Sequence, residues 1–282
     1  MKIRNTENNH YFQKELFRKL NIFELQGLLM DENRNFTAAV EAIQFEENET
    51  PNLEEVFSKE ELYAKYRLAE ELKIPFYLIR FFREKFGIVK VYKASDDKIE
   101  LSKVKEKTEK EFIEFWKRLK KTKQLHPLLN GAKERTDNTI FDKVLRKYNL
   151  EWGGNIDGFM IRNRKIVAIV DNISIGARSG PVDGNYANPA LYFFKKGPRY
   201  ETWLSSVKLA YKLNIPHLLF TIDKEDPNKD HIGFSIISLL NKTGIYYQNN
   251  LAPNKNVLIG LDNIITEVEK AVKMAPIPKL EE

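Results

Sequence analysis

The chain has 282 residues, 42% of them apolar and 30% charged, a composition typical of folded proteins rather than disordered ones. It contains no cysteine, which excludes disulfides, thiolate metal sites and cysteine nucleophiles and favours a reducing, cytoplasmic location. No apolar run approaches the roughly 18 residues of a membrane span, and the start MKIRNTENN is too polar for a signal peptide. We therefore expect no membrane partner.

The first predicted elements are a helix, a hairpin, a second helix and a strand. The stretch LFRKLNI ends a helical segment, and two apolar strands follow it, separated by a polar turn at Asp31 to Asn35. The first strand contains Gln26-Gly27, and the second, AAVEAI, carries Glu41. ELYAKYRLAEELKI then has the apolar spacing of an amphipathic helix, and FYLI after Pro75 is typical of a buried strand.

A polar segment follows these elements. KASDDKIELSKVKEKT has few large apolar residues, which predicts a linker, and we place a domain boundary near residue 100. The next stretch, TEKEFIEFWKRLKK, begins with the capping-box residues Thr108 and Glu111, so we expect a helix. Basic residues cluster at its end, where they suit either the helix dipole or nucleic-acid phosphates. They are Lys117, Arg118, Lys120, Lys121 and Lys123.

The second part of the chain reads like the first. VLRKYNLEWGGNIDGFMIRNRKIVAIVDNIS repeats the helix end, the turn and the two strands, and TWLSSVKLAYKLNIPHLLF repeats the second helix and the buried strand. Aligning Ile74-Pro75 with Ile215-Pro216 pairs the core positions of the two helices. We therefore expect a duplicated unit, with a long loop at 176–198 and a final helix, Leu261 to Met274, added to the second copy.

Two carboxylates stand at the ends of the second predicted hairpin. Asp157 begins the first strand and Asp171 ends the second, and the spacing of 14 positions from one to the other accommodates two strands and a short turn. Because an antiparallel hairpin brings the chain back to its start, the two carboxylates are expected within reach of one Mg²⁺, which prefers oxygen ligands. The main-chain carbonyl of Asn172 is a reasonable third ligand.

These residues resemble the PD-(D/E)XK nuclease superfamily, which has the restriction-endonuclease-like fold. The resemblance covers about residues 139 to 222 and rests on Ile156-Asp157-Gly158, on VAIVDNI, and on the helix and strand from Trp203 to Phe220. It implies an α/β fold of two tandem restriction-endonuclease-like units, each a mixed central β-sheet flanked by helices. It also implies that Asp157 and Asp171 bind Mg²⁺, for which Mn²⁺ can substitute, and that a lysine orients the attacking water.

The lysine position of that family's motif departs from the pattern, because Ile173 occupies it. In the superfamily the following helix sometimes supplies the lysine, and Lys208, aligned with Arg67 of the first copy, is the best replacement here. The alternative for Lys208 is a solvated surface side chain. Glu134 or Asp142 is a candidate for a further acid, and a surface charge is the alternative for each.

The long loop supplies candidate contacts to nucleic acid. Its basic residues Arg178, Lys195, Lys196 and Arg199 could bind phosphates, which also fits the net charge of +6. Its aromatic residues Tyr186, Tyr192 and Phe193 are expected to pack beneath the loop, with base stacking as the alternative.

The first copy lacks most of the predicted chemistry. Gln26 stands where the first acid is expected, and Ile43 stands at the lysine position. We therefore expect residues 1–100 to form a degenerate, non-catalytic nuclease-like domain and residues 101–282 to form the domain with the candidate active site. His10, His126, His217 and His231 lack zinc-ligand spacing, and we expect His217 to be a core or strand-end residue.

The sequence therefore predicts a Mg²⁺-dependent endonuclease that cuts double-stranded DNA, of a restriction or other defence type. Because double-strand cleavage usually needs two active sites, one competent site per chain implies either nicking or a homodimer. The alternative is a catalytically inactive pseudo-nuclease that binds nucleic acid or acts as a scaffold, which the missing lysine and the degenerate first copy favour.

Overall fold

The computed structural model describes residues 11–45, 56–82, 88–95, 100–121, 140–148, 150, 153–175, 200–223, 232–248 and 261–281. These residues form six helices and eleven strands, and the sheet is mixed and open. Within the described ranges, no helix is both long and apolar enough to span a bilayer.

The helices are α1 (Tyr11–Leu20), α2 (Lys59–Leu72), α3 (Glu109–Lys120), α4 (Ile140–Lys147), α5 (Tyr200–Leu213) and α6 (Leu261–Met274). The first five strands are β1 (Ile22–Met30), β2 (Phe36–Phe45), β3 (Phe76–Phe82), β4 (Ile88–Ser95) and β5 (Glu100–Thr108). The other six are β6 (Gly154–Arg162), β7 (Lys165–Ile175), β8 (His217–Asp223), β9 (Ile232–Asn241), β10 (Gly244–Tyr247) and β11 (Lys279–Leu280).

The chain divides into two compact units. The first contains Leu25–Asn155, and the second contains Asn8–Glu24 together with Ile156–Glu282. In the first unit β1 and β2 form an antiparallel hairpin, β3 lies parallel to β2, and β4 and β5 continue the sheet antiparallel. Helix α2 connects β2 to β3. Large aromatic side chains of α3 and α4, among them Phe112, Trp116 and Phe141, form the core on the other face.

The second unit has the same order of strands. The antiparallel hairpin β6–β7 is followed by the parallel strand β8, and β9 and β10 are added antiparallel, with the short β11 parallel to β9. Helix α5 connects β7 to β8 and packs on one face. The opposite face packs against α1 and α6, where Leu16 and Leu20 meet Ile264 and Val268.

Backbone details repeat between the units. The Ala39 amide donates to the Pro75 carbonyl at 2.9 Å, and the Ile169 amide donates to the Pro216 carbonyl at 3.0 Å. Both crossover helices end on a residue with positive φ, Lys73 at 57° and Asn214 at 59°. Residues aligned in the sequence comparison therefore occupy equivalent places in the two units.

The predicted mixed sheet flanked by helices is confirmed, but the units are not the consecutive segments 1–100 and 101–282. Helix α1 belongs to the second unit because its apolar side chains pack in that unit's core. Helices α3 and α4 belong to the first unit for the same reason. Sequence patterns give the apolar face of a helix but not the sheet that the face covers.

The segment predicted as a polar linker is mostly strand. Residues up to Ser95 belong to β4, and Glu100–Thr108 forms β5, which pairs with β4 along its length. Strand β5 ends the strand order of its unit. Alternating lysines and glutamates are common on such edge strands, where they discourage pairing with another chain. Its polar composition therefore reflects an edge position rather than a linker.

Gly158 of β6 provides a test of packing in the second unit. A Cβ atom there would lie 2.6 Å from Ile22 Cγ2 and 3.2 Å from Val170 Cβ, whereas a Cβ on Gly244 would have no neighbour closer than 3.8 Å. We expect Gly158→Ala to lower the free energy of unfolding by roughly 1–3 kcal/mol, and Gly244→Ala to change it little. Urea denaturation of both variants measures the difference, and equal effects would contradict this packing.

Candidate active site

The structure brings Asp157 and Asp171 together on neighbouring strands. Gly158 of β6 lies opposite Val170 of β7, so the next residue outward on each strand is one of the two aspartates. Because side chains alternate across a strand, both carboxylates lie on the face opposite Val170 and Met160. The main-chain amide of Asn172 donates to Asp157 Oδ2 at 3.1 Å, which holds the carboxylate of Asp157 beside the second strand.

Asp171 is buried, and two side chains hold it. Ser206 of α5 donates its hydroxyl to Asp171 Oδ2 at 2.7 Å, and His217 Nε2 of β8 lies 3.0 Å from the same oxygen. The imidazole of His217 is completely buried. Among the described residues, both contacts to Asp171 therefore go to Oδ2, and none goes to Oδ1.

The electrostatic environment of Asp157 is unfavourable for a second negative charge. Burial raises the pKa of Asp157 to about 7, with further contributions from the negative charges of Asp171 and Glu24, and the hydrogen bond from the main-chain amide of Asn172 opposes them. Like charges close together in a site of low dielectric raise the pKa of a carboxyl group in this way. A cation beside both carboxylates would remove the penalty.

Three residues near the acid pair have contacts that the sequence does not show. Ser206 lies within the apolar stripe of its helix and carries no charge, so its pattern gives no signal. His217 is a buried residue at the start of β8, as expected for a core or strand-end residue, and it also contacts Asp171. Glu24 lies on β1, far from Asp157 in the sequence, and only the pairing of strands in the second unit relates them.

Lys208 does not occupy the position on α5 that faces Asp171. Ser206 does, and Lys208 follows two residues later, which is roughly 200° around an α-helix. Its side chain is half-buried. Ile173, at the lysine position of the family motif, lies on β7 beside Thr221 of β8.

The other predicted site residues are not part of the described cluster. Asp142 is on α4, a helix of the first unit, and its side chain lies outside what the structure describes. The described residues do not include Glu134 or the four basic residues of the loop, Arg178, Lys195, Lys196 and Arg199.

The acid pair is compatible with a magnesium ion held partly by water. Within the described ranges, no group of three or more acidic, histidine or cysteine side chains is close enough to hold a metal. Mg²⁺ commonly binds through one or two carboxylates and keeps several waters, so two aspartates suffice. The side-chain atoms Oδ1 and Nδ2 of Asn172 are buried without hydrogen-bond partners. The two aspartates and the main-chain carbonyl of Asn172 offer oxygen ligands, which Mg²⁺ prefers.

The first unit has a different cluster at the equivalent place. Gln26 Oε1 accepts from the Ala42 amide at 2.8 Å, as Asp157 accepts from the Asn172 amide. Glu41, the counterpart of Asp171, accepts hydrogen bonds from the main-chain amide of Gln26 at 3.0 Å and from Lys65 Nζ at 2.6 Å. Lys65 of α2 therefore donates to Glu41 in the way that Ser206 of α5 donates to Asp171.

Comparison with known proteins gives no family assignment, because no protein-family model, curated protein or solved structure matches the chain.

The Ser206 hydrogen bond to Asp171 is expected to contribute measurably to stability. We expect Ser206→Ala to lower the free energy of unfolding by about 1–3 kcal/mol, because it removes a donor from a buried carboxylate. Ser205→Ala is the matched control, since Ser205 is also buried on α5 but does not bond to Asp171. Urea denaturation without metal measures both, and an equal loss in the two variants would contradict the assigned contact.

The raised pKa of Asp157 predicts an unusual pH dependence of stability. The folded pKa of about 7 lies above that of the unfolded chain, so the folded state binds more protons between about pH 4 and 7. The free energy of unfolding of the metal-free protein should therefore fall as pH rises from 5 to 8. The loss should be on the order of a few kcal/mol, at about 1.4 kcal/mol per pKa unit.

Asp157→Asn is the control for this pH dependence, because an amide cannot be deprotonated. We expect the variant to lose less stability than the wild type between pH 5 and 8, with denaturation followed in EDTA. The remaining slope would come from other groups of the protein. Identical slopes for the two proteins would rule out Asp157 as the source.

Proposed function

We propose that the second unit is a Mg²⁺-dependent endonuclease that hydrolyses phosphodiester bonds of double-stranded DNA. The observation that carries the proposal is the pair of buried Asp171 and half-buried Asp157, whose carboxylates lie on neighbouring strands and of which Asp157 has its pKa raised to about 7. A buried like-charged pair is costly unless it binds a cation or serves catalysis. Mn²⁺ is expected to substitute for Mg²⁺ because it accepts the same oxygen ligands.

The proposed ligands are Asp157, Asp171 through Oδ1, and the main-chain carbonyl of Asn172. When bound there, Mg²⁺ would polarise the phosphodiester and make a bound water more acidic. Ser206 and His217 hold Asp171 in one orientation through Oδ2. The Asn172 amide holds Asp157. Such outer contacts commonly set the affinity of a metal site.

Binding of the DNA backbone is proposed for Arg178, Lys195, Lys196 and Arg199. The net charge of +6 favours the approach of a polyanion, and phosphate contacts of this kind weaken as salt rises. Lys208 stays a candidate for stabilising negative charge. Its place on α5, turned away from Ser206, makes it a weaker candidate than the family motif suggests. A restriction or defence role in the cytoplasm, and action as a homodimer, are parts of the same proposal.

A second candidate function is binding of nucleic acid without cleavage. It is favoured by Ile173 at the lysine position and by Ser206 and His217, neither a fixed cation, as the side chains on Asp171. Such a protein would retain the fold and the positive charge but lack the group that stabilises the transition state.

A cleavage assay on plasmid DNA with Mg²⁺ or Mn²⁺ tests the proposal, using the wild type, Asp171→Ala, Asp157→Asn and the control Ser205→Ala. Because the aspartates are the proposed ligands, we expect metal-dependent cutting by the wild type and the control. We expect no cutting by either aspartate variant. Mn²⁺ affinity should be measured on the same samples by calorimetry.

The two candidate functions give different results in this assay. Salt-sensitive DNA binding that Asp171→Ala leaves unchanged, with no cutting by any sample, would support binding without catalysis. Cutting that persists in both aspartate variants would place the activity elsewhere or in a contaminant. Absence of both cutting and DNA binding would contradict both candidates.

A further inference from the structure

In both units, one position of the crossover helix donates a hydrogen bond to a buried carboxylate, but the residue at that position differs. Lys65 and Ser206 stand at the same distance before Ile74-Pro75 and Ile215-Pro216. Each points from the crossover helix to the carboxylate on the strand before it. Lys65 Nζ lies 2.6 Å from Glu41 Oε1, and Ser206 Oγ lies 2.7 Å from Asp171 Oδ2. The equivalence therefore extends to the bonded atoms.

The ammonium group of Lys65 is buried and contacts two carboxylates and an aromatic ring. Its ammonium lies 2.6 Å from Glu41, 3.1 Å from Glu61 of the same helix, and 4.8 Å from the centre of the Phe57 ring. The side chains of Lys65 and Glu41 are only 3% and 2% exposed, so water cannot replace these contacts. The Lys65 ammonium lies between two carboxylates, which is also where a small metal cation would lie if the same two side chains were its ligands.

In the second unit, no lysine or arginine among the described residues bonds to Asp171. A neutral hydroxyl takes the place of Lys65, and His217 takes the place of Phe76, which is buried in the first unit. An acid, Asp157, replaces the neutral Gln26. The first cluster therefore pairs its strand carboxylate with a lysine, whereas the second has two strand carboxylates and, among the described residues, a hydroxyl and an imidazole on Asp171.

We propose that Lys65 is a built-in cation that does for the first unit what an external divalent cation does for the second. The residue at this helix position, Lys65 or Ser206, then decides whether a carboxylate cluster neutralises itself or takes up metal. Of the two described clusters, only the one around Asp157 and Asp171 would then take up a divalent cation. The inference rests on the proposed function, because it assumes that the second unit binds a cation.

The first test transfers the lysine to the second unit. Ser206→Lys should place an ammonium on Asp171 and weaken Mn²⁺ binding at least 100-fold, as measured by calorimetry on the full chain. Ser206→Met is the control, because methionine introduces an unbranched chain of similar length without charge. It should lose only the hydroxyl contact, with roughly 10-fold weaker binding, as for other outer contacts of metal sites.

The second test removes the lysine from the first unit, in an Asp171→Ala background where the second site is disabled. Lys65→Ser leaves Glu41 and Glu61 without their ammonium and creates space between them. Mn²⁺ should then raise the melting temperature by at least about 3 °C through binding to the folded state. Lys65→Met is the control, because its side chain fills that space and should show no comparable shift.

The outcomes separate this inference from the proposed function. Wild-type protein that binds one Mn²⁺, with binding lost in Ser206→Lys but not in Ser206→Met, would support both. If the wild type and Ser206→Lys bind Mn²⁺ with the same affinity, the inference is overturned and the proposed function still stands. No Mn²⁺ binding by the wild type would overturn both. If Ser206→Lys does not fold, equal melting shifts for Lys65→Ser and Lys65→Met would overturn the inference.

Discussion

The burial of a carboxylate beneath a crossover helix is the constraint on which both units depend. Glu41 and Asp171 each lie on the second strand of a hairpin, where the following helix covers the sheet. A carboxylate taken from water must be hydrogen-bonded and balanced by positive charge or protonation. The identity of the residues around it, Lys65 in one unit and Ser206 with His217 in the other, follows from that requirement. In the first unit, the main-chain amide of Gln26 on the first strand also donates to Glu41.

The repeated backbone contacts show how a common scaffold can hold different chemistry. The bond from the amide of Ala42 to Gln26, and from Asn172 to Asp157, ties the hairpin strands together through a side chain in both units. That contact needs only an acceptor oxygen, so an amide serves it as well as a carboxylate does. Replacement of an acid by glutamine therefore changes the charge of the site while the hairpin contact is retained. Function and fold are separable at this position.

The acid pair also explains why a site of this kind is expected to depend on solution conditions. Loss of contact with water and the negative charges of Asp171 and Glu24 raise the pKa of Asp157 to about 7. Near neutral pH, a proton and a metal cation would then compete for the same carboxylate. Ser206 and His217 hold Asp171 through Oδ2, so a cation would meet its Oδ1. A small change in pH or divalent-cation concentration would thus alter the charge of the site more than the fold around it.

The sequence by itself determined the local elements and the acid pair, because both depend on short-range periodicity. The hairpins, the crossover helices, the capping box at Thr108 and the adjacency of Asp157 and Asp171 follow from alternation, turn residues and the return of an antiparallel chain. Only the tertiary structure decided that α1 packs in the second unit, that β5 is an edge strand rather than a linker, and that Ser206 and His217 hold Asp171. Those outcomes depend on contacts between residues distant in the chain. A hydrophobic pattern shows that a face is buried without naming the surface that covers it.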